Sequence, residues 1–337
     1  MAQRIGRNTI ILNSRPCIKA YGCAVGKKEG EGPLKDYFDK IYTDEFCNEE
    51  SFEKAETHLQ KSAINTALKK GKLSKSEIDV CFAGDLLNQC IGSSFCMRDL
   101  KMNYAGLYGA CSTMALSIAL AGITVESGCA KNALAVTSSH FCSAERQYRM
   151  PLEYGGQRSP AAQWTVTGSG AVIVSGDKAH ICIDKIQLGS VRDLNITDTN
   201  NMGAAMAPAA AQTIGRFLAD TNTCPTDYDC ILTGDLGKIG SSLLLELMRL
   251  EYNIDIESVH KDCGTLIFDT EAQDVHSGGS GCGCSACVLC SYIFDKMMDR
   301  ELNKVLFVGT GALLSPTSSL QKESVPGVAH AVLFLNE

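Results

Sequence analysis

Cys111 is the residue of this chain with the most obvious chemical potential, and it stands in the stretch YGACSTMALSIALAG at residues 108–122. The small and apolar residues that follow it predict a buried helix that begins beside the thiol. The dipole and free N–H groups of a helix N-terminus favour a thiolate. Cys111 is therefore a candidate nucleophile. The alternatives are a wall of a ligand pocket and a small buried side chain in the core.

A cysteine nucleophile needs a base, and two of the six histidines are candidates for that place. His140 follows the apolar strand ALAVTS, whose carboxyl end we expect beside Cys111. His276 comes just before the glycine-rich segment GSGCGCSA. Both also have a simpler interpretation as buried or solvated side chains. The other histidines are predicted in a helix, in strands and in a polar connection: His58, His180, His330 and His260.

Two further segments carry polar candidates for a ligand site. Asp235 follows the buried strand YDCILTG, and it could face the pocket or cap the next helix. The loop FCSAERQYRMPLEYGGQRSPAAQWT is too long for a simple connection, and we expect it to overhang Cys111. Its arginines and rings suit a planar anion, and the alternative is a dimer-contact loop with surface ion pairs. The candidates in this loop are Arg146, Arg149, Tyr154 and Trp164.

Four cysteines within nine residues raise the question of a metal site. The segment CGCSACVLC at 282–290 offers thiols for zinc or iron–sulfur ligation. Spacing of this kind along one helix spreads the thiols over its surface, and small polarizable side chains suit a buried helix. We therefore predict packing, with no metal and no other cofactor.

Composition and charge limit the class of protein. The 337 residues are 45% hydrophobic and 20% charged, which is typical of a globular chain with one large domain or two fused halves. A net charge of −7 argues against bulk attraction to nucleic acid. We find no signal peptide and no apolar run long enough to span a bilayer, so we expect a cytoplasmic or peripheral membrane protein with reduced cysteines.

An internal duplication organises the chain. Residues 78–100, IDVCFAGDLLNQCIGSSFCMRDL, resemble residues 228–250, YDCILTGDLGKIGSSLLLELMRL, so that Asp85 recurs 150 residues later as Asp235. The same correspondence pairs Cys111 with Cys282. Alternating strands and helices predict an α/β fold with parallel strands covered by helices. We expect two pseudo-repeated halves, 1–187 and 188–337, with stacked mixed sheets and buried central helices.

A duplicated α/β chain with a cysteine before a buried small-residue helix resembles the thiolase and ketoacyl synthase superfamily. The GDL strands, NMGAAMAPAA and GSGCGCSA fall in the order of that superfamily. More narrowly, RMPLEYGGQRSPAAQWTVTGSGA and GTGALLSPTSSLQKESVPGVAHAV are similar to the stage V sporulation protein AD family. The resemblance implies a thiolase-like fold, and superfamily members are commonly homodimers.

The same resemblance identifies what this chain lacks. Condensing enzymes of the superfamily place a histidine after the second-half strand, where this chain has Asp235. They place a histidine or asparagine in the glycine-rich loop, where it has Ser280, Gly281 and Cys282. Thiolases add a second cysteine near the last strands, where it has 309–311, GTG. The resemblance therefore implies a pocket without the catalytic bases.

The narrower resemblance implies a ligand and partners. Its family is implicated in moving dipicolinic acid (pyridine-2,6-dicarboxylic acid) into the developing spore beside membrane-embedded stage V sporulation A-series proteins. We therefore expect a non-catalytic dipicolinic acid binding protein, in the cytoplasm or at the spore inner membrane. The alternatives are an acyltransferase with Cys111 as nucleophile and His140 as base, and a scaffold. The expected ligand-binding residues are Cys111, His140, Arg146, Arg149, Tyr154, Trp164, Asp235 and His276.

Overall fold

Two copies of one α/β unit build the fold in the computed structural model, which describes residues 2–148 and 158–337. Its strands are β1 Gln3–Ile5, β2 Thr9–Ile11, β3 Cys17–Val25, β4 Lys40–Ile41, β5 Val80–Gly84, β6 Tyr104–Gly106, β7 Asn132–Ser139, β8 Trp164–Thr165, β9 Gly168–Ser175, β10 Ile181–Gln187, β11 Cys230–Thr233, β12 His260–Asp262, β13 Gly279–Ser280, β14 Lys304–Ala312 and β15 Gly327–Asn336.

The helices carry the same repeat. They are α1 Lys27–Gly30, α2 Phe52–Gly71, α3 Ile91–Leu100, α4 Thr113–Glu126, α5 Phe141–Tyr148, α6 Met202–Thr221, α7 Gly237–Tyr252, α8 Cys263–Leu266, α9 Cys282–Val288, α10 Phe294–Met298 and α11 Pro316–Leu320. A π-helical turn, Leu289–Ile293, joins α9 to α10. Helices α2 and α6 are both 20 residues long, and each ends at a residue in the left-handed conformation.

The large sheet consists of two half-sheets with the same strand order. The first half-sheet runs β6-β5-β7-β9-β3 and the second runs β12-β11-β14-β15-β10. In each of them the fourth strand of this order, β9 or β15, is antiparallel to both neighbours, and the first three strands are parallel to one another. The two half-sheets meet through one antiparallel pair, Cys17 of β3 opposite Cys182 of β10. The mixed α/β fold predicted from the repeat is confirmed.

The half-sheets enclose the two central helices, α4 and α9. Side chains of both helices belong to one hydrophobic core with residues of both half-sheets. The contacts are close enough to require glycine in the facing strands. A Cβ atom on Gly309 of β14 would lie 2.6 Å from that of Ala115, and one on Gly170 of β9 would lie 2.4 Å from the carbonyl oxygen of Ala286. The central helices are thus buried, as predicted.

Two features differ from the predictions. The third strand of each half, β6 and β12, was not predicted because it is only three residues long. His260, predicted in a polar connection, begins β12. The division of the chain into halves after residue 187 stays a prediction. Strand β10, which ends at that point, pairs with β15 of the second half. No helix in residues 2–148 and 158–337 is long and apolar enough to cross a membrane.

One pair of cysteines forms a disulfide. Cys17 and Cys182 are bonded where β3 meets β10, and the other fifteen cysteines are free thiols. The expectation that all cysteines are reduced is wrong for this pair. The two residues are 165 positions apart, and only the meeting of the half-sheets brings them opposite each other.

Candidate functional site

Cys111 lies in a tight turn between β6 and α4. The preceding residue, Ala110, has a φ of 48°, which an alanine adopts only when its surroundings enforce it. Two hydroxyl groups hold the turn, since Ser112 Oγ donates to the Gly109 carbonyl at 2.6 Å and Thr113 Oγ1 donates to the Ala110 carbonyl at 2.6 Å. The sequence GACST thus presents the thiol just before the first residue of α4.

Groups from the second half surround the Cys111 thiol. The Asp235 carboxylate, the Gly281 N–H and the Ser280 hydroxyl all lie beside its sulfur. Burial and then the nearby charge of Asp235 raise the pKa of the Cys111 thiol well above its ordinary value. The thiol is therefore neutral at physiological pH, contrary to the thiolate that a helix N-terminus alone would favour.

Asp235 is fully buried behind Cys111 and has a complete set of partners. One carboxylate oxygen accepts the Gly281 N–H at 2.9 Å, and the other accepts the Thr310 hydroxyl at 2.8 Å. Burial raises the pKa of Asp235 to about 7. The alternative that this residue caps α7 does not hold, because Asp262 binds the N–H groups of Leu236 and Gly237 there.

Asp262, at the end of β12, supports the turn that carries Asp235. Its carboxylate accepts the N–H groups of Leu236 at 2.8 Å and Gly237 at 2.9 Å. It also accepts the Thr233 hydroxyl at 2.7 Å and the Thr265 N–H at 3.2 Å. Asp262 was not predicted as a site residue, because β12 is too short to be recognised from the sequence.

A pocket with an enclosed volume of about 40 Å³, partly open to solvent, leads from the surface to Cys111. Most of its wall is apolar, and its hydroxyl groups come from two tyrosines, a threonine and a serine. The lining residues are Leu86, Tyr108, Ala110, Cys111, Ala144, Glu145, Tyr148, Thr165, Met202, Ser280, Ala312 and Leu314. No lysine or arginine is present among these described residues. Tyr108 and Tyr148 were not predicted as site residues.

The two candidate histidines do not line this pocket. His140 is buried, and its Nε2–H donates to the Glu45 carbonyl at 2.8 Å while its Nδ1 accepts the Cys142 N–H at 3.2 Å. Burial lowers the pKa of His140, and neither ring nitrogen is available to Cys111. His276 is half-buried and its Nε2 lies 3.3 Å from an Asp274 carboxylate oxygen.

Two of the loop candidates, Arg146 and Trp164, do not line the Cys111 pocket. Arg146 is exposed and forms an ion pair with Glu53 of α2. Trp164 stacks on Phe141 with ring centroids 3.8 Å apart, and the Lys28 ammonium lies 4.1 Å from its ring centroid. Trp164 and His140 line a different cavity, beside α1. Arg149 and Tyr154 lie outside the described residues.

Three of the four thiols of the 282–290 segment donate to different backbone carbonyls. Cys282 donates to the Ser138 carbonyl at 2.9 Å, Cys284 to the Gly234 carbonyl at 3.7 Å, and Cys287 to the Ala24 carbonyl at 4.0 Å. All four are fully buried. In the described part of the chain, no three histidine, cysteine or acidic side chains are grouped so that they could hold a metal ion.

Comparison with known proteins places the chain in a family. The family model of stage V sporulation protein AD matches residues 6–335. Over 329 residues the chain is 47% identical to the stage V sporulation protein AD of Bacillus subtilis (strain 168), covering 98% of this chain and 97% of that protein. The chain belongs to the stage V sporulation protein AD family. The resemblance stated from the sequence segments is therefore correct.

Solved structures share the fold of this stage V sporulation protein AD family member. A 3-oxoacyl-[acyl-carrier-protein] synthase III from Aquifex aeolicus VF5 is 13% identical, with a TM-score of 0.58 over 95% of this chain and 99% of that one. A variant of OleA from Xanthomonas campestris is 11% identical, with a TM-score of 0.62 over 99% of both chains. At these identities the likeness shows the thiolase-like fold alone.

Proposed function

We propose that this chain is a non-catalytic binding protein for dipicolinic acid and serves its uptake into the developing spore. The observation that carries the proposal is the partner of Cys111, which is a buried carboxylate instead of an imidazole. In a fold that condensing enzymes share, this chain thus has a pocket whose thiol is held neutral.

The proton balance at Cys111 argues against a condensing reaction. Nucleophilic attack needs the thiolate, and among the described residues the acid–base group in contact with the thiol is Asp235. Transfer of the thiol proton to Asp235 runs uphill, because the pKa of the thiol lies far above that of the carboxyl at about 7. His140 cannot assist, since its ring nitrogens bind backbone groups of Glu45 and Cys142.

The pocket lining combines apolar side chains with hydroxyl donors, which suit a carboxylate-bearing ring. Apolar side chains such as Leu86, Met202 and Leu314 form walls against which a pyridine ring can pack. Hydroxyl groups line the cavity, and hydrogen bonds to the charged form stabilise a carboxylate without a cation. Protonation of Asp235 near neutral pH reduces the repulsion that a bound dianion would meet.

The family resemblance also supplies the setting of the proposal. Under this proposal, the chain works as a homodimer at the spore inner membrane, beside membrane-embedded stage V sporulation A-series proteins. Co-purification of the chain with these membrane proteins from detergent extracts of sporulating cells would support the assembly. Recovery of the chain without them at all stages of sporulation would contradict it.

Titration calorimetry with dipicolinate tests the binding function. We expect saturable heat with the wild-type chain and a clear loss of affinity in Cys111→Ala, which removes a wall of the pocket. The matched control is Cys129→Ala, because Cys129 is an exposed free thiol that does not line the pocket. The absence of saturable heat at millimolar dipicolinate would overturn the proposal.

A further inference from the structure

We propose that the phenol of Tyr108 binds the second carboxylate of the ligand at the pocket mouth, and so makes the site selective for dicarboxylates over monocarboxylates. This inference rests on the proposed function and identifies the residue that distinguishes dicarboxylates from monocarboxylates. Its basis is the contrast between two tyrosines of the pocket: the Tyr148 hydroxyl donates to a backbone carbonyl, whereas the Tyr108 hydroxyl is bonded to that of Tyr148.

The pocket has two polar ends. At the buried end, the Ser280 hydroxyl and the Gly281 N–H surround Cys111, and Ser280 is only 2% exposed. At the open end lie Tyr108 and Tyr148, with Tyr108 48% exposed. The wall between the two ends is mainly apolar. A ring with carboxylates on both sides of its nitrogen can therefore place one at each end, whereas a monocarboxylate occupies only one end.

The hydroxyl proton of Tyr148 is used in a hydrogen bond within the protein. Its O–H donates to the Leu86 carbonyl at 2.5 Å. The neighbouring Gln147 amide donates to the same carbonyl at 2.8 Å, and its oxygen accepts the Asn88 N–H at 2.8 Å. These three bonds hold the last turn of α5 against the Leu86–Asn88 turn. Because a carbonyl oxygen can only accept, the single proton of Tyr148 is not available to a ligand.

Tyr108 has a proton that can be exchanged. Its Oη lies 3.0 Å from that of Tyr148. Since the proton of Tyr148 is used on Leu86, Tyr108 is the donor in this pair. Its present acceptor is a neutral phenol, and an ionised carboxylate is a stronger acceptor. A ligand carboxylate at the mouth can therefore take the Tyr108 hydrogen bond, while Tyr148 stays in place.

The test compares two ligands on matched variants. Calorimetry with dipicolinate and with picolinate (pyridine-2-carboxylate) is performed on the wild type, Tyr108→Phe and Tyr104→Phe. Tyr104 is the control because it lies outside the pocket lining and its hydroxyl makes no hydrogen bond with the described residues. We expect Tyr108→Phe to weaken dipicolinate about tenfold, as for a lost hydrogen bond to a charged group, and to leave picolinate within about twofold.

The possible results separate this inference from the proposed function. No dipicolinate binding by the wild type would defeat the function itself. Equal weakening of both ligands by Tyr108→Phe, or no change in either, would overturn the role of Tyr108. A second variant, Tyr148→Phe, removes the present acceptor of the Tyr108 proton and keeps the Tyr108 hydroxyl. It should retain the preference for dipicolinate, and loss of that preference would contradict the assignment.

Discussion

The two GDL turns of the repeat use the same aspartate for different tasks. In the first half, Asp85 accepts the Leu87 N–H at 3.0 Å and both the N–H and the hydroxyl of Ser93, so it stabilises the turn into α3. In the second half, the Asp235 carboxylate contacts Cys111 and binds the Gly281 N–H and the Thr310 hydroxyl. Duplicated sequence thus gives one structural carboxylate and one that belongs to the pocket.

The strand that follows each GDL turn and its helix, β6 in the first half and β12 in the second, explains the difference. In the second half this strand ends in Asp262, which takes over the N–H groups of the turn and frees Asp235. The matching strand of the first half, β6, is YAG and has no carboxylate, so Asp85 must serve its own turn. The site therefore depends on a residue that touches neither the thiol nor the pocket.

The largest effect is expected from Asp262→Ala. This change leaves the Leu236, Gly237 and Thr265 N–H groups without their acceptor, so we expect the free energy of unfolding to fall by about 3 kcal/mol. Urea denaturation measures it. The control Asp269→Ala removes the exposed acceptor of the Glu271 and Ala272 N–H groups, and its loss of stability should be clearly smaller. Equal losses in the two variants would contradict the supporting role of Asp262.

A smaller loss of stability, without loss of binding, is expected from Asp85→Ala. Two buried N–H groups lose their acceptor, which should cost about 2 kcal/mol in urea denaturation. Calorimetry with dipicolinate below the unfolding transition should give the wild-type affinity. If Asp85→Ala abolished binding in a folded protein, the division of tasks between the two aspartates would be wrong.

Ionisation of Asp235 should determine how the affinity for dipicolinate changes with pH. Its pKa of about 7 means that the carboxyl is neutral below pH 7 and charged above it, while the carboxyl groups of the ligand stay ionised. Repulsion with the dianion therefore grows as pH rises, and we expect affinity to fall about fivefold between about pH 6 and pH 8. Asp235→Asn should flatten the profile. An affinity that rises with pH, or an unchanged profile in the variant, would refute this assignment.

The smallest effect concerns the reactivity of the thiol. The Asp235 charge raises the pKa of Cys111, so Asp235→Asn should lower that pKa and speed alkylation of Cys111 by iodoacetamide about threefold at about pH 8. Peptide mass spectrometry separates Cys111 from the other thiols, and exposed Cys224 gives the reference rate. Slower alkylation in the variant would mean that Asp235 activates the thiol.

The sequence was sufficient for the fold and for the inner end of the site. The sequence predicted Cys111 at the start of a buried helix and Asp235 after a buried strand as pocket candidates, and the two residues do lie beside each other. The position of His140 after β7 was also predicted, but a strand end does not determine where a side chain points, and backbone groups of Glu45 and Cys142 hold its ring. Tyr148 and Asp262 act through short elements and turns whose contacts the sequence pattern does not report.

We infer that Cys111 lines a binding pocket and does not form a covalent intermediate. Intact-mass spectrometry after incubation with acyl-coenzyme A tests it most directly, with Cys111→Ser as the matched variant. The neutral thiol beside Asp235 predicts an unchanged mass for the wild type. A stable acyl adduct on the wild type that is absent from Cys111→Ser would contradict the account and identify the chain as an acyltransferase.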